Sequence, residues 1–553
     1  MTGVQTCALP ICRNKRSNRQ SENGLRTAEL WATLATRLAG SEYPAESLDA
    51  AWKLALLNQF HDILPGSSIG WVYKDSADQY AEVSATVETI KQESFATLTA
   101  GAPDMPVVFN ATEFSGDAVV ELPDSQSVIQ SYTDIDGRAC GLAPALSVPA
   151  LGYRPLDGVT MADASKKRIG STAAATASAV KTTARTLENE FIALTLDDNG
   201  GISSLIWKPL NRELVAVGGA FNRLALYEDR PTDWDAWDID IEYLGSERPL
   251  PPPTEITIAA KGALRGEIEI KRSIGVNSQL IQRIRLDAFS PRVDIINRIQ
   301  WNENRMLLRV LNDASVRSET ATYETQYGCV ERPTHFNTSW DYARFEVPGH
   351  TWALLADQQA GVALMNDGRY GYSCMGSTLG LSLLRSPKEP DPEADMCCHT
   401  LTYSLMPFDM TAPANAALTN RLPRVSHPYE LVALYARLLN IPLDVYSPVG
   451  SKRKGGKLPS EFSVFATPPP VRVEAFKRAE DSDAIIVRLT DSVGRLSGQT
   501  NVPLAFSPLL KIKSAALVDG LERPLPDAAL TIGKDKTVKV AMDRFAIRAL
   551  AAR

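Results

Sequence analysis

LALLNQFHDILPGSSIGWVYKDS, residues 54–76, carries the reading of the N-terminal part of the chain. Its first half completes an amphipathic segment that begins at Ala45. There Leu48, Ala51, Trp52, Ala55 and Leu56 share one helical face, and Ser47 is suited to cap it. Pro65-Gly66 must stop that helix, so the pattern predicts a second helix over 45–62. The second half opens a third helix, from Ile69 or Val72 to Leu98, along the apolar positions Tyr73, Ala77, Tyr80, Val83, Val87 and Ile90. Upstream, from about Ser21, residues Leu25, Ala28, Leu30, Leu34 and Leu38 keep a helical repeat that Gly40 and Pro44 end. Three helices with short connections predict a small antiparallel bundle. His61 and Asp62 then stand at the end of the second helix. An imidazole and a carboxylate there can ligate a metal and bond a polar ligand. The same pair also suits a helix end on structural grounds, through the dipole and turn capping. The other histidines, His335, His350, His399 and His427, are scattered without ligand spacing.

Beyond Pro103 the period changes to two. VVFNA, AVVELP and SVIQSY are β-branched and aromatic runs broken by Gly, Pro and Asp. FIALTLDDNGGISSLI is a pair of alternating runs joined by Asn199-Gly200, a hairpin signature. Further strands are expected in EIEIKRSI, RVDIINRIQW, HTWALLADQQAGVALMND, LGLSLLRS, DAIIVRLTD and TVKVAM. The fold class predicted is α+β, a three-helix bundle followed by large antiparallel β-sandwich domains. The chain divides into a bundle over 13–102, a small β domain over 103–162 and an Ala/Ser/Thr/Lys-rich linker over 163–186. A large β-sandwich domain over 187–448, a basic Gly-rich loop over 449–460 and a C-terminal β domain over 461–553 follow.

Composition limits what such a chain does. Its 58 Lys+Arg against 65 Asp+Glu leave a net charge of −7, so no nucleic acid is expected as partner. No apolar run approaches the roughly 20 residues of a membrane helix, and no membrane partner is expected. Seven cysteines without a CxxC pair predict no disulfide framework and a reducing compartment. Cys397 and Cys398 are expected to fill core space. MTGVQTCALPI, residues 1–11, lacks a basic region before its short apolar stretch and does not read as a signal peptide. It resembles the conceptual translation of a common sequencing-adapter oligonucleotide. Residues 1–12 are therefore expected to be a sequencing artefact, with the gene continuing upstream, and an irregular tail is the alternative.

LNQFHDILPGSSI (57–69) is similar to the signature around the C-terminal zinc ligand of family 38 α-mannosidases. RNKRSNRQSENGLRTAELWATLA (13–35) resembles the stretch that enters that family's three-helix bundle. The resemblance continues through VVFN (107–110), VPALGYRPL (148–156), LENEFIALTLDDNGGISSLI (187–206) and LYEDRPTDWDAWDID (226–240). It goes on through residues 322–355 and 361–408 to VRVEAFKRAEDSDAIIVRL (471–489), in order. The QFHDILPGSS form is closer to the cytosolic, vacuolar and bacterial branch than to the HHDAITGT-like Golgi and lysosomal form, which implies a cytoplasmic protein.

The resemblance implies a retaining hydrolase of terminal α-mannosides on glycans or oligosaccharides. One carboxylate attacks the anomeric carbon and a second protonates the leaving oxygen, and a zinc ion holds the sugar's 2- and 3-hydroxyls. It also implies that the nucleophile, the acid/base and a His-x-Asp ligand pair belong to an N-terminal α/β catalytic domain missing from this chain. That domain would be a partner, with a homo-oligomer as a further option on which the sequence does not decide. By resemblance His61 is the last zinc ligand and Asp62 the carboxylate that bonds substrate hydroxyls. This chain has no catalytic residue of its own under that reading and is expected to be inactive alone. Asp229, Asp233, Trp234, Asp235, Trp237 and Asp238 form an acidic-aromatic cluster. It serves either as a sugar platform, with Asp235 and Trp237 binding substrate, or as a loop touching the catalytic domain. Tyr370 and Tyr372 read as core or interface residues, and Arg385 and Arg332 as structural ion-pair partners. A non-catalytic carbohydrate-binding or scaffold β protein is the competing reading.

Overall fold

The computed structural model of the chain describes residues 12–100, 105–123, 129–156, 179–411, 425, 427–448, 458–466, 471–494, 496 and 500–553. The adapter-like segment 1–11, most of the linker at 163–178 and the Gly-rich loop at 449–457 lie outside these residues.

Three helices lead the fold: α1 (Cys12–Ala39), α2 (Ala45–Leu57) and α3 (Gly70–Leu98). Two differences from the sequence reading matter. First, α1 starts nine residues before Ser21, and Cys12, assigned above to an artefact, is its first residue and is buried. Asn14, Lys15, Asn18, Arg19 and Ser21 are buried too, so this polar stretch has no apolar period to read. It is buried at little loss because its polar groups find partners, Asn14, Lys15 and Asn18 within the bundle and Cys12, Arg16 and Arg19 on the β domain. The Cys12 N–H donates to Asp395 Oδ1 at 2.8 Å, Arg16 meets Asp367 at 2.9 Å and Arg19 donates to Asn366 Oδ1 at 3.0 Å. Second, α2 ends at Leu57 rather than Asp62, because Asn58 folds back and donates to the Leu54 carbonyl at 2.9 Å.

The β region is antiparallel throughout, and its centre is a sandwich. A nine-stranded sheet runs in the order Glu255–Lys261, Arg265–Ile274, Ser278–Asp287, Val293–Gln300, Cys398–Asp409, Ala360–Asn366, Trp352–Ala356, Thr320–Thr325, Gly328–Pro333. It faces a six-stranded sheet whose middle strands are Arg223–Glu228, Met306–Asp313 and Thr378–Arg385. Alternating residues fill the space between: Ile268, Ile284, Ile295, Leu364 and Leu405 from one sheet, Leu308, Val310, Leu379 and Leu381 from the other. The Asn199-Gly200 hairpin forms as the sequence predicts, pairing Ile192 with Trp207. Gly200 takes φ +78°, and Asp197 Oδ1 accepts the Asn199 and Gly201 N–H groups at 2.8 and 2.9 Å. The hairpin belongs to a separate five-stranded sheet, and at its edge Lys181–Thr182 and Thr186–Glu188 are paired strands, so the end of the expected linker is structured.

A helix inside 187–448 escaped the sequence reading. α4 (Pro428–Asn440) lays Val432, Ala433 and Ala436 over Trp352, Met406 and Phe408, and His427 with Glu430 forms a capping box at its start. The following strand Asp444–Tyr446 joins Val107–Asn110, Gly152–Pro155 and Phe462–Ser463 in a small sheet, not the large sandwich. Trp31 of α1 is fully buried against Phe95 and Phe109, at 5.7 and 5.1 Å, and links the bundle to that sheet and to the C-terminal β domain.

The bundle, α4 and the C-terminal domain also meet through charge. Glu474, 11% exposed, is reached by Arg26 of α1 at 2.9 Å, Arg437 of α4 at 3.3 Å and its neighbour Arg472 at 3.8 Å. Burial pushes its carboxyl up, but the three guanidiniums outweigh burial and hold it at about 2. An unfolded Glu titrates near about 4.3. A pKa depressed on folding gives stability that is present above the unfolded value and lost as pH falls towards the folded one. The melting temperature should therefore drop steeply between pH 5 and pH 2. In Glu474→Gln it should start lower and fall less steeply, because the arginines are already uncompensated. Calorimetric scans across that range check this, and parallel acid limbs in the two proteins would refute it.

Candidate functional site

Residues 58–68 form a strapped turn between α2 and α3. Its backbone carbonyls are tied inward: Asn14 donates to Ile63 O at 3.0 Å, Lys15 to Pro65 O at 2.9 Å and Tyr73 OH to Asp62 O at 3.3 Å. Gln59 is held by Asn18 Oδ1 at 3.1 Å and Glu22 Oε1 at 2.8 Å. Gly66 closes the turn at φ +106°, which a residue with a Cβ rarely adopts. With the main chain anchored inward, Phe60 and His61 are thrown outward. The His61 side chain is 78% exposed, with Nε2 3.5 Å from Asp62 Oδ2 and its ring 4.3 Å from Phe60. Asp62 accepts from Ser67 Oγ at 3.2 Å and leaves its other oxygen towards His61.

Leu56, Leu57, Phe60, Ile69 and Trp71, which flank His61 in the chain, are all exposed, Trp71 by 82%. Several exposed apolar side chains in one stretch suit an interaction surface. Asn14 is the main support of the turn, since it also accepts from Ser76 Oγ at 2.5 Å. Asn14→Ala should cost about 1–3 kcal/mol by orphaning both groups. Denaturant midpoints measure this, and hydrogen exchange within 58–68 should quicken.

The acidic-aromatic loop is organised differently from the sequence expectation. Asp229 and Arg385, each with a side chain 2% exposed, form a bidentate pair at 2.6 and 2.9 Å. Arg385 also donates to Asp238 O at 2.8 Å, so the expected structural ion pair is also the clamp of the loop. Asp235, expected to bind substrate, is turned inward: its side chain is 9% exposed, accepts the Lys388 N–H at 2.6 Å and lies 3.5 Å from Arg305. A carboxylate used in this way holds the loop and is not presented to solvent. Trp237 remains 39% exposed, edge-on to the exposed Trp234 at 6.3 Å. The Arg385–Cys397 segment leads from this loop towards the His61 turn. A Cβ added at Gly70, the first residue of α3, would lie 3.2 Å from Asp391 Oδ1. The start of α3 and the Trp237 loop thus both lie against one segment.

Other expected residues fall elsewhere. Tyr372 is fully buried, and Tyr370 lies under the Arg19 guanidinium at 4.4 Å. Arg332 donates to Pro348 O at 2.8 Å and covers the Tyr323 ring at 4.8 Å. Cys398 is exposed and Cys397 half-buried, so neither fills the core as expected. Burial lowers the His399 pKa, and this imidazole contacts the Asp395 carbonyl at 2.7 Å inside the fold. Among the described residues no group of three or more His, Cys, Asp or Glu is arranged to hold a metal ion. Zinc takes about four ligands, so His61 and Asp62 alone do not fit one.

Three family profiles match the chain in order. "Alpha mannosidase middle domain" covers residues 11–98, "Glycosyl hydrolases family 38 C-terminal domain" 187–393, and "Glycosyl hydrolases family 38 C-terminal beta sandwich domain" 470–550. The chain belongs to glycoside hydrolase family 38. Among family relatives, "Alpha-mannosidase 2C1" of Homo sapiens is 34% identical over 97% of this chain and 48% of its own length. "Alpha-mannosidase G" of Dictyostelium discoideum is 32% identical over 92% and 48%. This family 38 chain therefore spans about half the length of the curated relatives it matches. A crystal structure of an alpha-mannosidase from Enterococcus faecalis V583 shares its fold, with a TM-score of 0.74 and 17% identity over 100% of this chain and 68% of that one. The strapped turn lies within the middle domain, and the Trp237 loop within the first C-terminal domain.

Proposed function

We propose that this chain is the middle and C-terminal part of a zinc-dependent retaining α-mannosidase acting on terminal α-mannosides of glycans or oligosaccharides. One observation carries the reading. In a family 38 middle domain, an anchored turn presents the His61 imidazole outward, flanked in the chain by exposed apolar side chains. A metal ligand is best held on a turn that cannot relax, and these apolar side chains suit a second domain that completes the ligand set. His61 supplies one zinc ligand, Asp62 accepts substrate hydroxyls and Trp237 offers an indole face to the sugar. The nucleophile and acid/base belong to the partner catalytic domain, so this chain alone does not turn over substrate. Among the described residues no two cysteines are joined in a disulfide, which suits a reducing compartment and supports a cytoplasmic assignment. No helix among the described residues is long and apolar enough to cross a membrane.

The test is hydrolysis of a chromogenic α-mannoside, with zinc content, for this chain alone and for the chain joined to a family 38 catalytic domain. Turnover and bound zinc are expected only in the joined protein. Activity of the chain alone that disappears on mutating this chain, or full activity of the joined protein without zinc, would overturn the proposal.

A further inference from the structure

The six-stranded and nine-stranded sheets are joined along one side of the sandwich by a proline-rich crossing, RPLPPPTE, residues 248–255. Arg248 and Pro249 pair with Leu226 and Ala225 at the edge of the first sheet, and Glu255 opens the edge strand of the second. A proline ring fixes φ near about −65° and bars its predecessor from the helical region. Leu250, Pro251 and Pro252 each precede a proline. These rules confine the crossing to the extended, left-handed polyproline II form, which has about three residues per turn.

Burial along the crossing keeps that period. Leu250 and Pro253 are half-buried, and Leu250 packs against the sandwich core together with Ile256, three residues beyond Pro253. Pro249, Pro251, Pro252 and Thr254 are exposed. One edge of the three-sided helix thus rests on the protein, and the edges 249/252 and 251/254 face water. Both ends are tied. The ladder at Arg248 and Pro249 holds one, and the Thr254 N–H, donating to Lys271 O at 2.8 Å, holds the other. Among the described residues the carbonyls of Leu250, Pro251 and Pro252 accept no hydrogen bond.

A spacer between two sheets needs only the stiffness. This one adds exposed rings on two adjacent edges, open carbonyls between them and a cation at its head. The Arg248 side chain is 57% exposed, and its guanidinium lies 3.6 Å from Glu228 in a surface pair that is worth little, so it can turn to a carboxylate on another molecule. Aromatic-lined grooves seat the rings of such a ridge, and their indole and phenol groups donate to its carbonyls. We infer that residues 248–254 are a docking ridge for a protein domain with an aromatic-lined groove flanked by carboxylates, a role that needs neither His61 nor Trp237. The ridge is already in its bound form, so docking forfeits little chain entropy.

The experiment titrates the chain by calorimetry with isolated SH3, WW and EVH1 domains, the known classes of polyproline-binding groove. At least one domain should bind saturably, and the same domain with its groove tryptophan changed to Ala should not. Pro252→Ala should weaken binding about tenfold, by taking one ring from the groove. Arg248→Ala should weaken it too and flatten its dependence on salt. Both side chains are exposed, so thermal melts should match the wild type, and Arg248→Ala keeps the test decisive if Pro252→Ala unfolds. His61→Ala and Trp237→Ala should bind as the wild type. The proposal is overturned if no domain binds, if the groove variant binds equally well, or if folded Pro252→Ala and Arg248→Ala bind undiminished. Loss of binding in Trp237→Ala would move the contact to the Trp237 loop and overturn it as well.

Discussion

Replacing His61 by Ala in a protein that joins this chain to a family 38 catalytic domain is expected to lower α-mannoside turnover by more than about 100-fold. Changes one shell removed from a metal already cost about 10–100-fold, and this one removes a ligand. Bound zinc, measured by elemental analysis, should fall with it. Asp62→Asn should separate the two effects. Zinc should stay, because the imidazole is untouched, while kcat/KM falls, because Asn keeps the shape but loses the charge-assisted acceptor. In this chain alone His61→Ala should leave the melting temperature within error. The side chain is 78% exposed and meets Phe60 and Asp62. Full zinc and wild-type turnover in the joined His61→Ala protein would remove the basis of the metal assignment.

Arg385→Ala should be the most destabilising single change on the Trp237 side, costing about 3–5 kcal/mol. It strands the buried Asp229 carboxylate and takes a donor from the Asp238 carbonyl, both inside the fold. Arg385→Lys should not rescue it, since an ammonium cannot make the two parallel bonds at 2.6 and 2.9 Å. Denaturant unfolding gives the cost, and a change in tryptophan emission at low denaturant would report release of the loop. A loss under about 1 kcal/mol would show that the loop is held by other contacts.

The bundle and the antiparallel sheets were legible in the sequence because their apolar positions keep clear periods of 3.6 and 2. What was missed has physical reasons. The first turns of α1 are polar and buried, and only distant partners, at residues 366–395 on the β domain and at 59–80 in the bundle, make that tolerable, which no local pattern records. The end of α2 was read from Pro65-Gly66, whereas Asn58 ends it earlier by a side-chain bond to the Leu54 carbonyl. α4 was within reach: Pro428 at its start, Glu430 three residues after His427 and a helical apolar spacing were all present. At the candidate site the residue types were readable and their directions were not. Asp235 and Trp237 are two residues apart, yet one points into the fold and the other is partly exposed. The anchors of the His61 turn, Asn14, Lys15 and Gln59, lie in stretches that resemble the family, yet nothing in the local pattern gives them that role. They matter only through the carbonyls and side chains they meet.

The anchoring of α1 has a consequence for biosynthesis. Cys12 bonds Leu383 and Asp395, 371 and 383 residues further along. At about 5–20 residues per second, a ribosome delivers those partners some 20–75 s after α1 has been made. Until then Cys12, Arg16 and Arg19 lack their partners on the β domain, and the His61 turn is held only by bonds within the bundle, such as those from Asn14 and Lys15 to the Ile63 and Pro65 carbonyls. The C-terminal domain closes later still, because its last strand, Ile547–Ala552, inserts between Ile485–Thr490 and Ala515–Val518. A nascent chain released early would therefore carry the His61 turn on a bundle whose first helix is not yet docked, and the exposed faces of that helix would make it a client for chaperones.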